Sequence, residues 1–232
     1  MLSVLISTSV CHGQGVKVVY SEQMKITTQV EKLDPSIRAL VETQLKQQDK
    51  TMCLLHHQEE SLYSADSETS STPDMQSNAR IARMGGGGAV YKNQKEELRI
   101  SQELILDKKF LITEPLASSK WKVEKDEKII AGYACKKAVD STGIIAWYCP
   151  EIPISNGPGI YGGLPGLILE LETPVKTFVA QTVNLNYDTA NRIKQPNSGK
   201  KVTRAAYNQI RDEKMKDMGV QNDGPGVKII KM

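Results

Sequence analysis

Prolines and glycines crowd the stretch Trp147–Glu172, W-Y-C-P-E-I-P-I-S-N-G-P-G-I-Y-G-G-L-P-G-L-I-L-E-L-E, which is bounded by apolar, strand-like sequence at both ends. Pro150, Pro153, Pro158 and Pro165 each lack an amide donor, so neither a helix nor a central strand can run through the middle of it. Gly162 and Gly163 permit positive φ, Pro165 fixes its own φ and restricts Leu164, and Gly166 lets the chain turn into Leu167, Leu169 and Leu171. The pattern predicts a rigid, irregular entry to a buried strand. The same rigidity also suits a rim or gating loop over a ligand.

Strands dominate the rest. Val16, Val18, Tyr20, Met24 and Ile26 alternate with polar residues as a half-buried strand does. Short strand-like runs follow at Thr51–Gln58, Ser61–Ala65, Ala89–Tyr91, Glu97–Leu104, Lys109–Thr113, Lys120–Glu124, Lys128–Val139, Ile144–Tyr148, Leu167–Glu172 and Val175–Tyr187, separated by turn residues. Two helices interrupt them. Asp34-Pro35 supplies a cap and a first-turn proline, and Ile37, Leu40, Val41 and Leu45 share one face of a helix running to about Gln48. Thr203 caps a second, highly charged helix over Arg204–Met218, whose weak apolar face of Tyr207, Ile210 and Met218 predicts a peripheral position. The fold class expected is α+β: a large curved antiparallel sheet, a half-barrel-like meander, with one helix packed near the N-terminus on its concave side and the other at the periphery. Such a sheet leaves a partly open apolar interior.

Residues 1–13 have the apolar run and small residues of a signal peptide, with cleavage after Gly13. Cys11 as a lipid acceptor is the competing reading, opposed by the bulky Val10 before it. Residues 14–220 then form a single β-rich domain, in which Asp66–Gly88, rich in Ser, Thr and Asp and ending in four glycines, reads as a mobile loop, and residues 221–232 as a loose tail. No run of apolar residues approaches the length of a membrane span. Export points to the periplasm or the outer-membrane surface.

Cys135 and Cys149 flank a hairpin turn, and an oxidising compartment would permit a bridge between them. A three-residue loop of Ser141, Thr142 and Gly143 sets the two cysteines directly opposite each other; a two-residue Thr142-Gly143 loop sends them to opposite faces. If bridged, the closed loop contributes roughly 3 kcal/mol on the chain-entropy account. Buried free thiols are the alternative at this point. Cys53 reads as a small core residue.

The blocks W-K-V-E-K-D-E-K-I-I-A-G-Y-A-C-K-K-A (Trp121–Ala138), A-W-Y-C-P-E-I-P-I and Y-G-G-L-P-G-L-I-L-E-L occur here in that order. In them the chain resembles the GLPGLI family of Bacteroidetes envelope proteins. The resemblance implies an exported protein of unsettled function and supplies no catalytic residue. Cys149 stands where comparable members usually carry Ser or Thr, so a bridge to Cys135 would be particular to this chain.

Reactive constellations are missing from the sequence. Glu170 and Glu172 lie on one strand face roughly 7 Å apart, as glycosidase carboxylates can, but their alternation with leucines accounts for them as solvent-facing. His56 and His57 are neighbours on a strand and point to opposite faces, and neither C-x-x-C nor H-E-x-x-H occurs, so no metal site is expected. Gly85–Gly88 lacks the Lys-Ser/Thr of a phosphate loop, no nucleophile elbow is present, and no cofactor motif appears. A net charge of +3 without a basic, aromatic-interleaved run disfavours nucleic acid. Trp121, Tyr133, Trp147, Tyr148, Tyr161, Leu164 and Pro165 are the candidate ligand-binding residues, because large side chains in an otherwise aliphatic core either anchor packing or line a cavity. The expectation is a non-enzymatic envelope protein holding an apolar or peptide-like ligand; the alternative is an interaction module docking on an outer-membrane protein.

Overall fold

The structure, a computed structural model, describes residues 14–25, 34–46, 49–66, 88–117, 119–189 and 191–217. The expected signal peptide, the interior of the expected mobile loop and the C-terminal tail lie outside the described residues, as do the apolar side chains expected on the first helix. The elements run β1 Gln14–Met24, α1 Pro35–Lys46, β2 Lys50–His57, β3 Glu60–Ala65, β4 Val90–Asn93, β5 Leu98–Ile105, β6 Lys108–Pro115, β7 Trp121–Ile130, β8 Tyr133–Asp140, β9 Ile145–Cys149, β10 Leu167–Glu172, β11 Lys176–Asp188, β12 Lys200–Val202 and α2 Arg204–Asp217. All strands join one sheet in the order β12-β6-β5-β4-β3-β2-β1-β11-β10-β9-β8-β7. Two antiparallel meanders, β1 to β6 and β7 to β11, are thus sewn together by pairing β1 with β11.

Strand order and chain length together force the sheet to curve. Laid flat, β6 and β7 would be separated by ten strand spacings, about 48 Å. Residues 116–120 are all that join them, and that much chain spans at most about 22 Å. The sheet therefore curls until these two strands approach each other. One hydrophobic cluster confirms the closure, since it joins Tyr63 and Val90 on one meander to Ala138 and Trp121 on the other. Between them sit Ile152, Leu164, Leu167, Ile168 and Leu169, every one of them at most 3% exposed. The concave side holds the Gly/Pro segment, whose contacts through Leu164 and from Asn156 to Lys92 lie there.

α1 lies against β1 and α2 against β6. In α2 the Thr203 hydroxyl accepts the amide of Ala206 at 3.2 Å, the expected cap. Tyr207, fully buried, meets Phe110 edge to face with centroids 5.7 Å apart. Arg204 anchors the first turn by pairing with Glu103 and, at 2.8 Å, with Glu114. That guanidinium, helped by Arg99, holds the Glu114 carboxyl below its ordinary range.

Two local features depart from the alternation. Lys128–Val139 reads as one strand in sequence, but the chain reverses at Ala131-Gly132, both at positive φ (50° and 86°), and divides it between β7 and β8. Paired positive φ values are the signature of a two-residue hairpin turn matched to strand twist, and Ala is an unusual occupant of its first position. β12 pairs parallel with β6. The chain reaches it by crossing the sheet from β11, so it enters that edge in the direction of β6 and not against it. Among the described residues no helix is long and apolar enough to cross a membrane.

Candidate functional site

Alternation along β1–β4 divides two chemically different surfaces. The ladder Val16, His56, Ser61 and Lys92 faces the concave side; the next rung, Lys17, Leu55, Leu62 and Tyr91, faces the opposite side. Each surface is covered by an irregular segment. The Gly/Pro loop of residues 150–166 covers the concave one, and residues 191–199 run across the other.

On the concave side the loop closes around a lysine. Lys92 is 4% exposed, and its ammonium donates to Asn156 Oδ1 at 2.8 Å, Gly157 O at 3.3 Å and Tyr161 O at 2.6 Å. Three neutral oxygens, and no carboxylate, hold the charge. Burial, with Arg99 nearby, pulls the pKa of Lys92 down to about 7. Asn156 also faces His56, its amide nitrogen 3.5 Å from Nδ1. Burial first, then His57 and Lys92, lower the His56 pKa to about 4, so the ring is neutral at pH 7. Tyr20 on β1 donates to Ile168 O on β10 at 2.6 Å, and Trp121 Nε1 on β7 to Gly162 O in the loop at 2.9 Å. Gly166 is required at its place, because a Cβ there would fall 2.2 Å from Cys149 O.

The candidate residues named from sequence cluster around this loop. Leu164 and Tyr148 are core residues at 2% and 4% exposure. Trp121, Tyr133, Trp147 and Tyr161 are half-buried and packed on that core, and Pro165 is exposed. Burial, with a smaller push from Asp140, raises the Tyr161 hydroxyl above its ordinary pKa. Lys128 lies 4.2 Å above the Trp147 ring and pairs with Glu170 at 2.6 Å, while Glu172 pairs with Lys25 at 2.9 Å. Both strand carboxylates are thus taken up in ion pairs. Among the described residues no group of three or more His, Cys, Asp and Glu side chains gathers as a metal site would.

The hairpin adopts the longer turn. Asp140 donates its amide to Ile144 O at 3.0 Å, Gly143 donates to Asp140 O at 3.1 Å, and Gly143 has φ 82°. Register then runs Val139 to Ile145, Ala138 to Ala146, Lys137 to Trp147 and Lys136 to Tyr148. One further step sets Cys135 across from Cys149. Both are fully buried thiols, and Cys135 Sγ lies 3.6 Å from Tyr133 O.

The opposite surface has a pocket of about 370 Å³ that no sequence motif marks. Lys17, Cys53, Leu55, Leu62 and Ser64 form its floor, and Asp66, Tyr187, Asn191, Arg192 and Lys194 its walls. The crossing segment is pinned beyond it, with Ile193 packed on Tyr91, Ile100 and Leu111 and Ser198 O accepting from Gln102 at 2.7 Å. Lys17 pairs with Asp66 at 3.3 Å, and the Tyr187 ring receives both Lys17 (5.1 Å) and Arg192 (5.2 Å). Apolar floor, aromatic wall and three cations against one carboxylate make a site suited to an acid with an apolar body. Sequence reasoning missed it because its residues come from five separate segments.

Residues 139–170, which include the G-L-P-G-L-I-L-E string, match a family described as a protein of unknown function (Porph_ging). No curated protein matches the sequence. The fold is similar to PNGF-II solved in the P21 space group (TM-score 0.55) and in C2 (TM-score 0.54), at 16% identity in each case. The likeness covers 85% of this chain but 33% and 32% of those, so this chain spans about a third of PNGF-II. At such identity the likeness is one of fold.

Proposed function

We propose that the protein is a non-enzymatic binding component of the cell envelope, and that it holds a peptide-like ligand by an apolar side chain and a carboxylate in the pocket between β1–β3 and residues 187–194. The observation that carries this reading is the composition of that pocket. Leu55 and Leu62 offer an apolar floor, Tyr187 an aromatic wall, and Lys17, Arg192 and Lys194 a local excess of positive charge over Asp66. Its volume, about 370 Å³, matches a small ligand. On the concave side Leu164 and its neighbours are packed into the core, which favours the opposite surface as the place for a ligand.

Amide chemical-shift mapping with N-acetyl-leucine and with N-acetyl-leucinamide tests it. The acid is expected to shift the amides of residues 53–64 and 187–194 in a saturable way, and the uncharged amide to do so far more weakly. Equal response to both, or shifts centred on residues 150–166, would defeat the proposal.

A further inference from the structure

We infer that Cys135 and Cys149 are joined by a cross-strand disulfide that staples the β8–β9 hairpin where it feeds the Gly/Pro loop. Three observations carry it. The Ser141-Thr142-Gly143 turn fixes the register, and continuing the ladder past Lys136 and Tyr148 brings Cys135 opposite Cys149. The bond from the Asp140 amide to Ile144 O makes these two a hydrogen-bonded pair, so alternation makes 135 and 149 a non-hydrogen-bonded pair. Such pairs have Cα atoms about 4.5 Å apart, at the short end of the range a disulfide spans. Both side chains are fully buried and belong to the same core cluster, which excludes water and competing thiols from the contact. Cys53, the remaining described cysteine, lines the pocket on another strand.

The Cys135 thiol is pushed up to about 12, by burial first and by Cys149 second. Thiolate is the attacking species, so the folded, reduced pair reacts slowly and the bond forms while the hairpin is still accessible. The oxidant is a disulfide donor, either a protein or a small molecule. One cysteine thiolate attacks it and releases one donor thiol; the second cysteine then displaces the other. In sum two thiols lose two protons and two electrons, one S–S bond forms, and the donor disulfide becomes two thiols.

The test uses the full chain, refolded from denaturant in a mixture of oxidised and reduced glutathione. The folded product, checked by circular dichroism, is denatured again and alkylated with iodoacetamide without reductant before peptide mapping. Cys53 should be alkylated, while Cys135 and Cys149 appear as one linked peptide pair that reductant separates. Folded protein with both residues alkylated would overturn the inference, as would a bridge that includes Cys53. A Cys53→Ala variant should keep the link. Cys149→Ser should leave Cys135 alkylated, and if that variant does not fold, the wild-type map alone decides.

Discussion

The two surfaces of β1–β4 use the same backbone for opposite ends. On the concave side Val18, Tyr20, Leu54 and Tyr63 share one buried core with Ile152 and Leu164 of the Gly/Pro loop, and three oxygens of that loop are arranged around the Lys92 ammonium. One residue further along each strand, Lys17, Leu55 and Leu62 face a pocket with exposed Arg192 and Lys194 at its mouth. A rigid loop rich in proline and glycine invites a functional reading, yet here its rigidity serves packing. The backbone turns sharply enough to present Ile152 and Leu164 to the sheet and then to enter β10 at Leu167. Open space belongs to the segment with no motif at all.

If that contrast is right, truncations should cost very different amounts on the two sides. Leu164→Ala removes a side chain 2% exposed at the centre of the loop's contact and is expected to destabilise by about 2–5 kcal/mol in a urea titration. The matching change on the other surface, Leu62→Ala, removes a half-buried side chain and should cost clearly less. A loss below about 1 kcal/mol for Leu164→Ala would mean the loop is a cover and not part of the core.

Lys92 sharpens the same comparison. Lys92→Met leaves Gly157 O and Tyr161 O without the ammonium and Asn156 Oδ1 with the Gly157 amide alone, and should cost about 1–3 kcal/mol. The pH dependence gives an independent readout. The folded-state pKa of Lys92, about 7, lies below the ordinary 10.5, so between those values the unfolded chain holds the extra proton and stability rises with pH. Near pH 10 the rise should end, because burial raises the hydroxyl pKa values of Tyr20 and Tyr63, and unfolded tyrosines then ionise first. His56 acts at the other end of the scale. Its folded-state pKa of about 4 lies below the ordinary 6.5, so stability falls as pH drops from 6.5 toward 4. Urea midpoints measured from pH 4 to 10 should show both slopes, the alkaline one shallower in Lys92→Met, where the lowered Lys50 still contributes, and the acid one shallower in His56→Gln, where the lowered Glu114 and Asp140 still contribute. A flat alkaline profile in the wild type would mean that Lys92 is not held as described.

Much of the fold was legible because its signals are local. The helix starts at Pro35 and Arg204, the Thr203 cap, the strand alternation and the burial of Leu167, Leu169 and Leu171 follow from period and turn chemistry. Pairings between distant segments were not. Nothing local in Gln14–Met24 says that it meets Lys176–Asp188, and Lys200–Val202 is too short to show an alternation. The hairpin stood between two registers until the Asp140–Ile144 bond decided it. Lys92 on its four-residue strand reads as a solvated lysine, since the oxygens that justify its burial belong to residues 64 to 69 positions away. The pocket was invisible for a similar reason: Lys17, Leu62 and Arg192 become neighbours through the crossing segment alone.

The smallest expected effect tests the pocket side of the comparison. Arg192 is exposed and stands on the crossing segment, so Arg192→Ala should leave the urea midpoint nearly unchanged, within about 0.5 kcal/mol. Its guanidinium stacks against Tyr187 at the pocket wall, so the same change should weaken N-acetyl-leucine binding and leave the weaker N-acetyl-leucinamide response where it was. The pair of readouts matters more than either value. Loss of stability together with binding would make Arg192 a strut of the crossing segment, whereas loss of binding alone assigns its charge to the ligand. Unchanged binding of the acid would remove Arg192 from the site and leave Lys17 and Lys194 to account for any preference for a carboxylate.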